Sequence, residues 1–426
     1  MKPVTAVIIG AGDRGRNVYG KYALEHPEEM RVTAVAEPDP QRRREFQALH
    51  GIADEHCFSG YEELLSRPRL ADAAFICTQD GMHYQPALLA KQAGYHILLE
   101  KPISNTPEDC VRIWKDCSGG EKGQLFAVGH VLRYTPFFQQ IKAVLDSGGI
   151  GRITNIDYTE NIGFYHFAHS YVRGHWANSA TSSPIILAKS CHDLDILRWL
   201  VGSPLQSLSA SGCLTEFKAE NAPEGAPDYC IHGCPVAAHC PFNAVQLYGW
   251  FRPNSFLRQI VEMEDSEHTL EHALRHTYYG RCVYRCENNV PDHMAIRMRF
   301  ANEVDVQLTV TAFSSRITRT LRIQGTRGEL WGDMDRNSLQ MIEFATMRRQ
   351  KFLLDVGREG HFGGDRGLTH SFVSRIAQGA DTLPTSLEGA LESHLMAFAA
   401  EKSRQEDQVV DFQAFAKSCG VDSFDR

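Results

Sequence analysis

The first chemistry legible in this chain is carried by Gly10, Gly12 and Gly15, in the run Gly-Ala-Gly-Asp-Arg-Gly. The run directly follows the β-type segment VTAVIIG and opens a helix-like stretch. In that context the first glycine permits a tight turn, the second lets backbone approach a pyrophosphate, and the third lets the helix pack closely. The helix N-terminus then presents positive charge to the phosphates. With Asp13 and Arg14 inside the loop, these residues are the expected dinucleotide-binding set. The next β-type segment, RVTAVAE, ends in Glu37, a carboxylate placed to accept from ribose hydroxyls. Such a carboxylate repels a 2'-phosphate, so NAD is expected over NADP. Arg42, Arg43 and Arg44 nearby keep NADP open.

Two further groupings have chemical character. The stretch GFYHFAHSYVRGHW, from Gly163 to Trp176, mixes aromatic rings with histidine and arginine. Ring faces stack on the apolar face of a pyranose while Arg and His donate to its hydroxyls, so Tyr165, His169, Arg173 and Trp176 are the expected carbohydrate contacts. Cys230, Cys234 and Cys240 lie close together in CIHGCPVAAHC, with Cys282 and Cys286 further on. Three near thiolates with a distant fourth at Cys282 follow the logic of a structural zinc site. The spacing is not a double CxxC, so iron–sulfur ligation, a disulfide and buried thiols stay open. The segment HFGGDRGLTH, from His361 to His370, sets two glycines among polar groups and is read as a close backbone approach to a ligand or neighbouring subunit.

The elements that must position these residues follow from hydrophobic pattern. The 426 residues, 43% of them hydrophobic, suit two domains. Up to about residue 131, β-type runs (VTAVIIG, RVTAVAE, ADAAFICT, HILLEK, QLFAVGH) alternate with helical stretches, which predicts an α/β Rossmann domain with a parallel sheet. Residues 132–426 are expected to form an α+β domain for substrate binding and oligomerisation. There RITNIDYTE, HMAIRMRF, VDVQLTVTA and TRTLRIQG follow one another without regular crossover helices, predicting a large, mostly antiparallel sheet. An irregular Cys-containing insertion is placed at about 221–280. IILAKSCHDLDILRWL reads as one helix. The formal charge of −8 argues against a nucleic-acid partner, and no apolar run reaches membrane-spanning length. A cytoplasmic protein with a small-molecule partner is expected, in a homo-oligomer (dimer or tetramer).

The segment TQDGMHYQPALLAKQAGYHILLEKPIS, from Thr78 to Ser104, resembles the glucose–fructose oxidoreductase, inositol dehydrogenase and rhizopine-catabolism (Gfo/Idh/MocA) family, whose signature is a strand ending in Glu-Lys-Pro. The glycine fingerprint, His83, Glu100-Lys101-Pro102, Arg133-Tyr134-Thr135-Pro136, IQGTRGEL and the final AAEKS helix all fall in the family's order. The resemblance implies that Thr78, His83, Glu100 and Lys101 face the cofactor, that Lys101 sits beside the nicotinamide and the substrate hydroxyl, and that Arg133 contributes to the substrate side. It also implies that a histidine of the second domain, by motif position His192, acts as acid and base. The family usually has an aspartate four residues earlier, where this chain has Ala188.

On a continuous helix Lys189, His192 and Asp193 would project from one face, the ammonium lowering the imidazole pKa and the carboxylate raising it. Lys189 is then a second catalytic candidate and Asp193 a substrate contact. The resulting expectation is an NAD(P)-dependent dehydrogenase acting on a secondary hydroxyl of a sugar, inositol or glycoside. Its rivals are a redox-neutral glycoside-cleaving or eliminating enzyme with retained NAD, and a non-catalytic NAD- or sugar-binding regulator.

Overall fold

The computed structural model describes residues 2–118, 123–250, 256–263, 265, 267, 269–354 and 360–424. Part of the predicted insertion, 251–255 with 264, 266 and 268, therefore lies outside the described residues.

Six strands make a parallel sheet: β1 (Val4–Ile9), β2 (Met30–Ala36), β3 (Cys57–Phe58), β4 (Ala73–Ile76), β5 (His96–Leu99) and β6 (Phe126–Val128). Their order is β3-β2-β1-β4-β5-β6. Strands β4 and β5 are almost wholly buried, as a sheet covered on both faces requires. The chain direction across the sheet reverses between β1 and β4. Ligands of open α/β sheets bind beyond the carboxyl ends of such a pair. Gly10 follows β1 and Thr78 follows β4, so the two loops flank that crevice.

The second sheet has nine strands: β7 (Ile153–Asn161), β8 (Leu205–Cys213), β9 (His293–Phe300), β10 (Asp305–Thr311), β11 (Thr318–Gly325), β12 (Gly328–Asp333), β13 (Ser338–Glu343), β14 (Arg349–Phe352) and β15 (Val410–Asp411), ordered β14-β13-β12-β11-β7-β10-β9-β8-β15. Among the described residues, only the β7–β10 pair of this sheet is parallel. β9 alternates strictly between buried and outward residues, the pattern of a sheet with one covered face. The covering includes the helices Cys191–Val201 and Leu387–Glu406, whose Leu194, Leu197, Leu391 and Leu395 are buried.

The two sheets are tied together by late segments of the chain. Helix Gly364–Gln378 packs on β1 and on the wide helical turns Arg14–Gly20, with Phe372 set edge-on to Phe75 at 5.6 Å. Val128 N donates to Thr385 O at 2.9 Å, extending the parallel sheet beyond β6. Helix Leu387–Glu406 then touches both β6 and β8. Residues far apart in sequence are thereby brought to one cleft.

Candidate functional site

The glycine loop has the geometry its sequence implies. Gly10 lies at φ +93°, and a Cβ there would sit 2.7 Å from Cys77 O, so β1 and β4 approach too closely for a side chain. A Cβ at Gly15 would fall 2.0 Å from Gly10 O, which lets the helical turns seat on the strand end. Gly12 differs, because a Cβ there meets nothing within 4 Å. Its bare backbone faces open space, the condition for close approach of a phosphate group. Glu37 is buried at the end of β2, its Oε2 accepting from Ala11 N at 2.8 Å and its Oε1 from Asp39 N at 2.9 Å. The carboxylate therefore braces the glycine loop while keeping further lone pairs. Arg42 Nε lies 3.8 Å from it. Asp13 is exposed and accepts from Asn17 at 2.9 Å.

Arg14 turns back into the protein. Its Nε donates to Glu100 Oε1 at 2.6 Å and its Nη1 lies 2.9 Å from Asp365 Oδ1, so one guanidinium joins the glycine loop, the end of β5 and the helix Gly364–Gln378. Glu100 also accepts from Tyr19 Oη at 2.6 Å and from Lys101 N at 3.1 Å. Burial would raise this carboxyl, but Arg14, Tyr19 and Lys101 outweigh burial and hold it below its usual range. His83, fully buried, bridges the loops after β4 and β5: its Nδ1 lies 2.9 Å from Pro102 O and its Nε2 3.1 Å from Thr78 O. The Thr78 hydroxyl is buried with no protein partner, a polar atom suited to meet a ligand in the crevice.

Lys101 crosses to the second domain, where its Nζ donates to Ala188 O at 3.1 Å. The expected continuous helix is broken there: Ile185–Ala188 stops at Lys189, Ser190 leaves helical geometry, and a new helix runs Cys191–Val201. This overturns the expectation that Lys189, His192 and Asp193 share one face. Lys189 and Asp193 turn to a buried charged group on the sheet. Lys189 Nζ lies 3.5 Å from Glu160 Oε1, and Arg319 Nε lies 2.7 Å from Glu160 Oε2 and 3.1 Å from Asp193 Oδ1. Glu160 and Arg319 are register partners on β7 and β11, and Tyr158, two residues before Glu160, donates to Asp193 at 2.9 Å. Burial pushes the Glu160 carboxyl up and the Lys189 ammonium down, each opposed by its oppositely charged neighbours.

His192 points the other way. Its ring centre is 5.8 Å from that of His130 and 5.6 Å from that of His361. Both nitrogens of His192 and both of His130 are buried without a protein hydrogen-bond partner. Burial, then the Lys101 cation, then the neighbouring histidines lower the His192 pKa well below the usual range. Asp193 takes no part in this. The result is a neutral imidazole within reach of the Lys101 charge, a group with a free nitrogen lone pair.

The remaining expected contacts lie elsewhere. Arg133 is buried and spends its guanidinium on Asp195, with Nε–Oδ2 2.7 Å and Nη2–Oδ1 2.6 Å, and on Pro384 O at 2.8 Å. His169 is stacked on Tyr279 at 4.6 Å and bonded to Tyr248 Oη at 3.0 Å. Arg173 donates to Arg281 O and Phe242 O, anchoring the Cys-containing segment. Trp176 is half-buried beside Tyr171, and Tyr165 packs edge-on to Phe164. Cys230, Cys234, Cys240 and Cys282 line one narrow cavity, yet their sulfurs do not gather into a ligand set. Among the described residues, only His26, Glu28 and Glu29 bring three potential metal ligands within 4.8 Å of one another. The zinc expectation is thus not met: the Cys230 sulfur lies 3.8 Å from Arg173 Nη2 and 3.9 Å from Arg281 O, and the neighbouring Cys282 thiol with the Arg173 cation lowers the Cys230 thiol against burial.

Reading by motif missed His130, Glu160, Arg319, His361 and Asp365. Glu160 carried a signal, since it continues the inward alternation of Ile156 and Tyr158 and so places a carboxylate on a buried face. His361 and Asp365 lay inside a segment already singled out for its glycines. For His130 and Arg319 no local pattern exists.

Residues 4–130 match the profile of an oxidoreductase family with an NAD-binding Rossmann fold, and residues 138–231 match a GFO/IDH/MocA C-terminal domain. A putative oxidoreductase, YteT of Bacillus subtilis, is 23% identical over 84% of this chain and 86% of its own length. Inositol 2-dehydrogenase 2 of Saccharopolyspora erythraea is 32% identical, over 33% of this chain and 38% of its own. Among solved structures, levoglucosan dehydrogenase with NADH and levoglucosan superposes with a TM-score of 0.70 over 96% of this chain and 100% of its own, at 19% identity. At that identity the likeness establishes the fold. No helix among the described residues is long and apolar enough to cross a membrane.

Proposed function

The chain belongs to the GFO/IDH/MocA oxidoreductase family, and from that premise we propose that it oxidises, or in reverse forms, a secondary hydroxyl of a sugar or polyol with NAD as the hydride acceptor. The observation that carries this reading is the reach of Lys101 to Ala188 O, four residues before His192, from where its charge bears on the buried imidazole. The Lys101 ammonium orients and polarises the hydroxyl and stabilises the alkoxide as it develops. The buried, neutral His192 takes the hydroxyl proton. Ala188 contributes its backbone carbonyl to Lys101, so the lysine is held without the aspartate that the resemblance leads one to expect. Lys189 holds Glu160 and thereby keeps the charged group on β7 and β11 in balance beside the reacting centre.

When bound, the dinucleotide supplies a nicotinamide that accepts the hydride. The residues present fit it: Gly10, Gly12 and Gly15 would hold the pyrophosphate, Thr78 offers an unpartnered hydroxyl, and the remaining lone pairs of Glu37 would accept from the ribose hydroxyls. Its buried carboxylate favours NAD over NADP by repelling a 2'-phosphate. The uncovered face of the nine-stranded sheet, with Ser209, Ala295, Arg297 and Gln307, supports pairing with a second copy, which a solution mass would test.

The test is absorbance of NADH formed by the purified protein with NAD and a panel of sugars, inositols and glycosides, with K101A as control. NADH formation that is lost in K101A is the expected result. Binding of polyols without any NADH on the whole panel overturns the reading.

A further inference from the structure

A proton delivered to His192 has no obvious exit, because the ring is almost fully buried and its nitrogens meet no protein acceptor. The neighbour that is open to solvent is His361, whose side chain is 33% exposed and whose ring centre lies 5.6 Å from that of His192. Its Nδ1 lies 3.0 Å from Asp365 Oδ2, so Nδ1 is the donor to the carboxylate and Nε2 the acceptor. Asp365 is in turn held by Arg14 at 2.9 Å, and Arg14 belongs to the dinucleotide loop. Burial opposes ionisation of Asp365, but His361 and Arg14 overcome it and hold the carboxyl well below its usual range.

The backbone around this pair is built to a special shape. His361 lies at φ +46° and Phe362 at φ +56°, a region that L-residues avoid and that clusters at functional sites. A Cβ on Gly360 would stand 2.4 Å from Asp365 Oδ2, so only glycine lets the carboxylate reach across this turn.

We propose that His361, oriented by Asp365, is the second proton-handling residue of the site and carries the substrate proton from His192 to solvent. The proposal rests on the dehydrogenase reading above. In the oxidation direction the O–H bond breaks as an N–H bond forms on His192, while the C–H bond breaks with its electron pair going to the oxidised dinucleotide. His192 then passes a proton, by way of a water between the two rings, whose centres lie 5.6 Å apart, to Nε2 of His361, which releases it to bulk water, one proton per hydroxyl oxidised. The ionisable groups around His361 are Asp365 on the adjoining helix, Arg14 from the glycine loop and His192 with Lys101 behind it. Arg133, on the neighbouring turn Val131–Tyr134, faces Asp195 instead.

The experiment measures NADH formation against pH for the full-length wild type, H361N and D365N, using the best polyol of the panel. Asparagine tolerates the left-handed backbone and removes the proton carrier. In H361N kcat falls by about 100-fold or more, as expected for loss of an acid–base group. KM and NADH binding hold, the low-pH limb of the kcat profile disappears, and added imidazole restores part of the rate. D365N shifts the same limb. A wild type that turns over while H361N is indifferent, or is slowed with an unchanged pH profile and no imidazole rescue, refutes the relay and leaves the dehydrogenase reading intact. A wild type that forms no NADH with any polyol overturns both.

Discussion

Replacing Gly12 and Gly15 by alanine separates folding from cofactor binding within one loop. At Gly15 the new Cβ would fall 2.0 Å from Gly10 O, far inside contact distance and against backbone rather than a side chain that could swing aside. The loop or the helical turns Arg14–Gly20 must shift, and overpacking of this kind costs about 1–3 kcal/mol, or more where backbone is the obstacle. In a domain of this size that corresponds to a fall in Tm of roughly 2–4 °C per kcal/mol. At Gly12 a Cβ meets nothing within 4 Å and the backbone φ is not left-handed, so the apo protein tolerates alanine, with a gain of about 0.4–1 kcal/mol from the stiffer unfolded chain. The methyl group occupies the space that a pyrophosphate needs, and NADH affinity is expected to fall about tenfold or more, about 1.4 kcal/mol per decade. Thermal melting without dinucleotide and NADH fluorescence titration give the two readouts. If G12A binds NADH as tightly as the wild type, the assignment of this loop to the pyrophosphate is wrong.

Other substitutions probe the rest of the site. R133M leaves Asp195 charged, buried and unpaired, and should cost about 3–5 kcal/mol in denaturant unfolding; the double variant with D195L should recover part of that loss. Burial lowers His169 and His394 to about 3, against about 6.5 in the unfolded chain. Between those values the unfolded state binds more protons, so stability should fall as pH drops from about 6.5 towards 3. Acid melts of H169F, which cannot charge, should show a shallower fall over that window. E37A removes both the repulsion of a 2'-phosphate and the brace on Ala11 N and Asp39 N, so it should narrow the NAD-to-NADP preference in paired kcat/KM measurements while lowering Tm by several degrees, on the order of two lost hydrogen bonds to a charged group. An unchanged preference would show that Glu37 serves the loop alone.

The parallel sheet was legible because buried strands are written as short, nearly continuous apolar runs, as in Val4–Ile9 and Ala73–Ile76. The two-residue β3 and the serine-rich β8 were not, since neither carries a hydrophobic period of its own. The break between Ala188 and Cys191 escaped reading for a different reason. Ile185–Leu200 has an apolar helical pattern, and what breaks it is tertiary: Lys189 goes to Glu160 on the sheet while His192 turns to His130 and His361.

The sequence by itself determined the dinucleotide loop, the Glu-Lys-Pro turn and the division into a parallel and a largely antiparallel sheet, because each depends on neighbours a few residues apart. The tertiary structure decided which side chains share the cleft. Arg14 with Asp365, Lys101 with Ala188, and His192 with His361 are contacts between distant segments, formed because helix Gly364–Gln378 returns to β1 and helix Leu387–Glu406 spans both sheets. Arg133 and His169 have the composition of ligand contacts, yet the Arg133 guanidinium goes to Asp195 and Pro384 O and the His169 ring to Tyr248 and Tyr279, since a buried polar group takes whichever partner the fold sets beside it; Arg173 binds Arg281 O and Phe242 O and keeps Nη1 unpartnered.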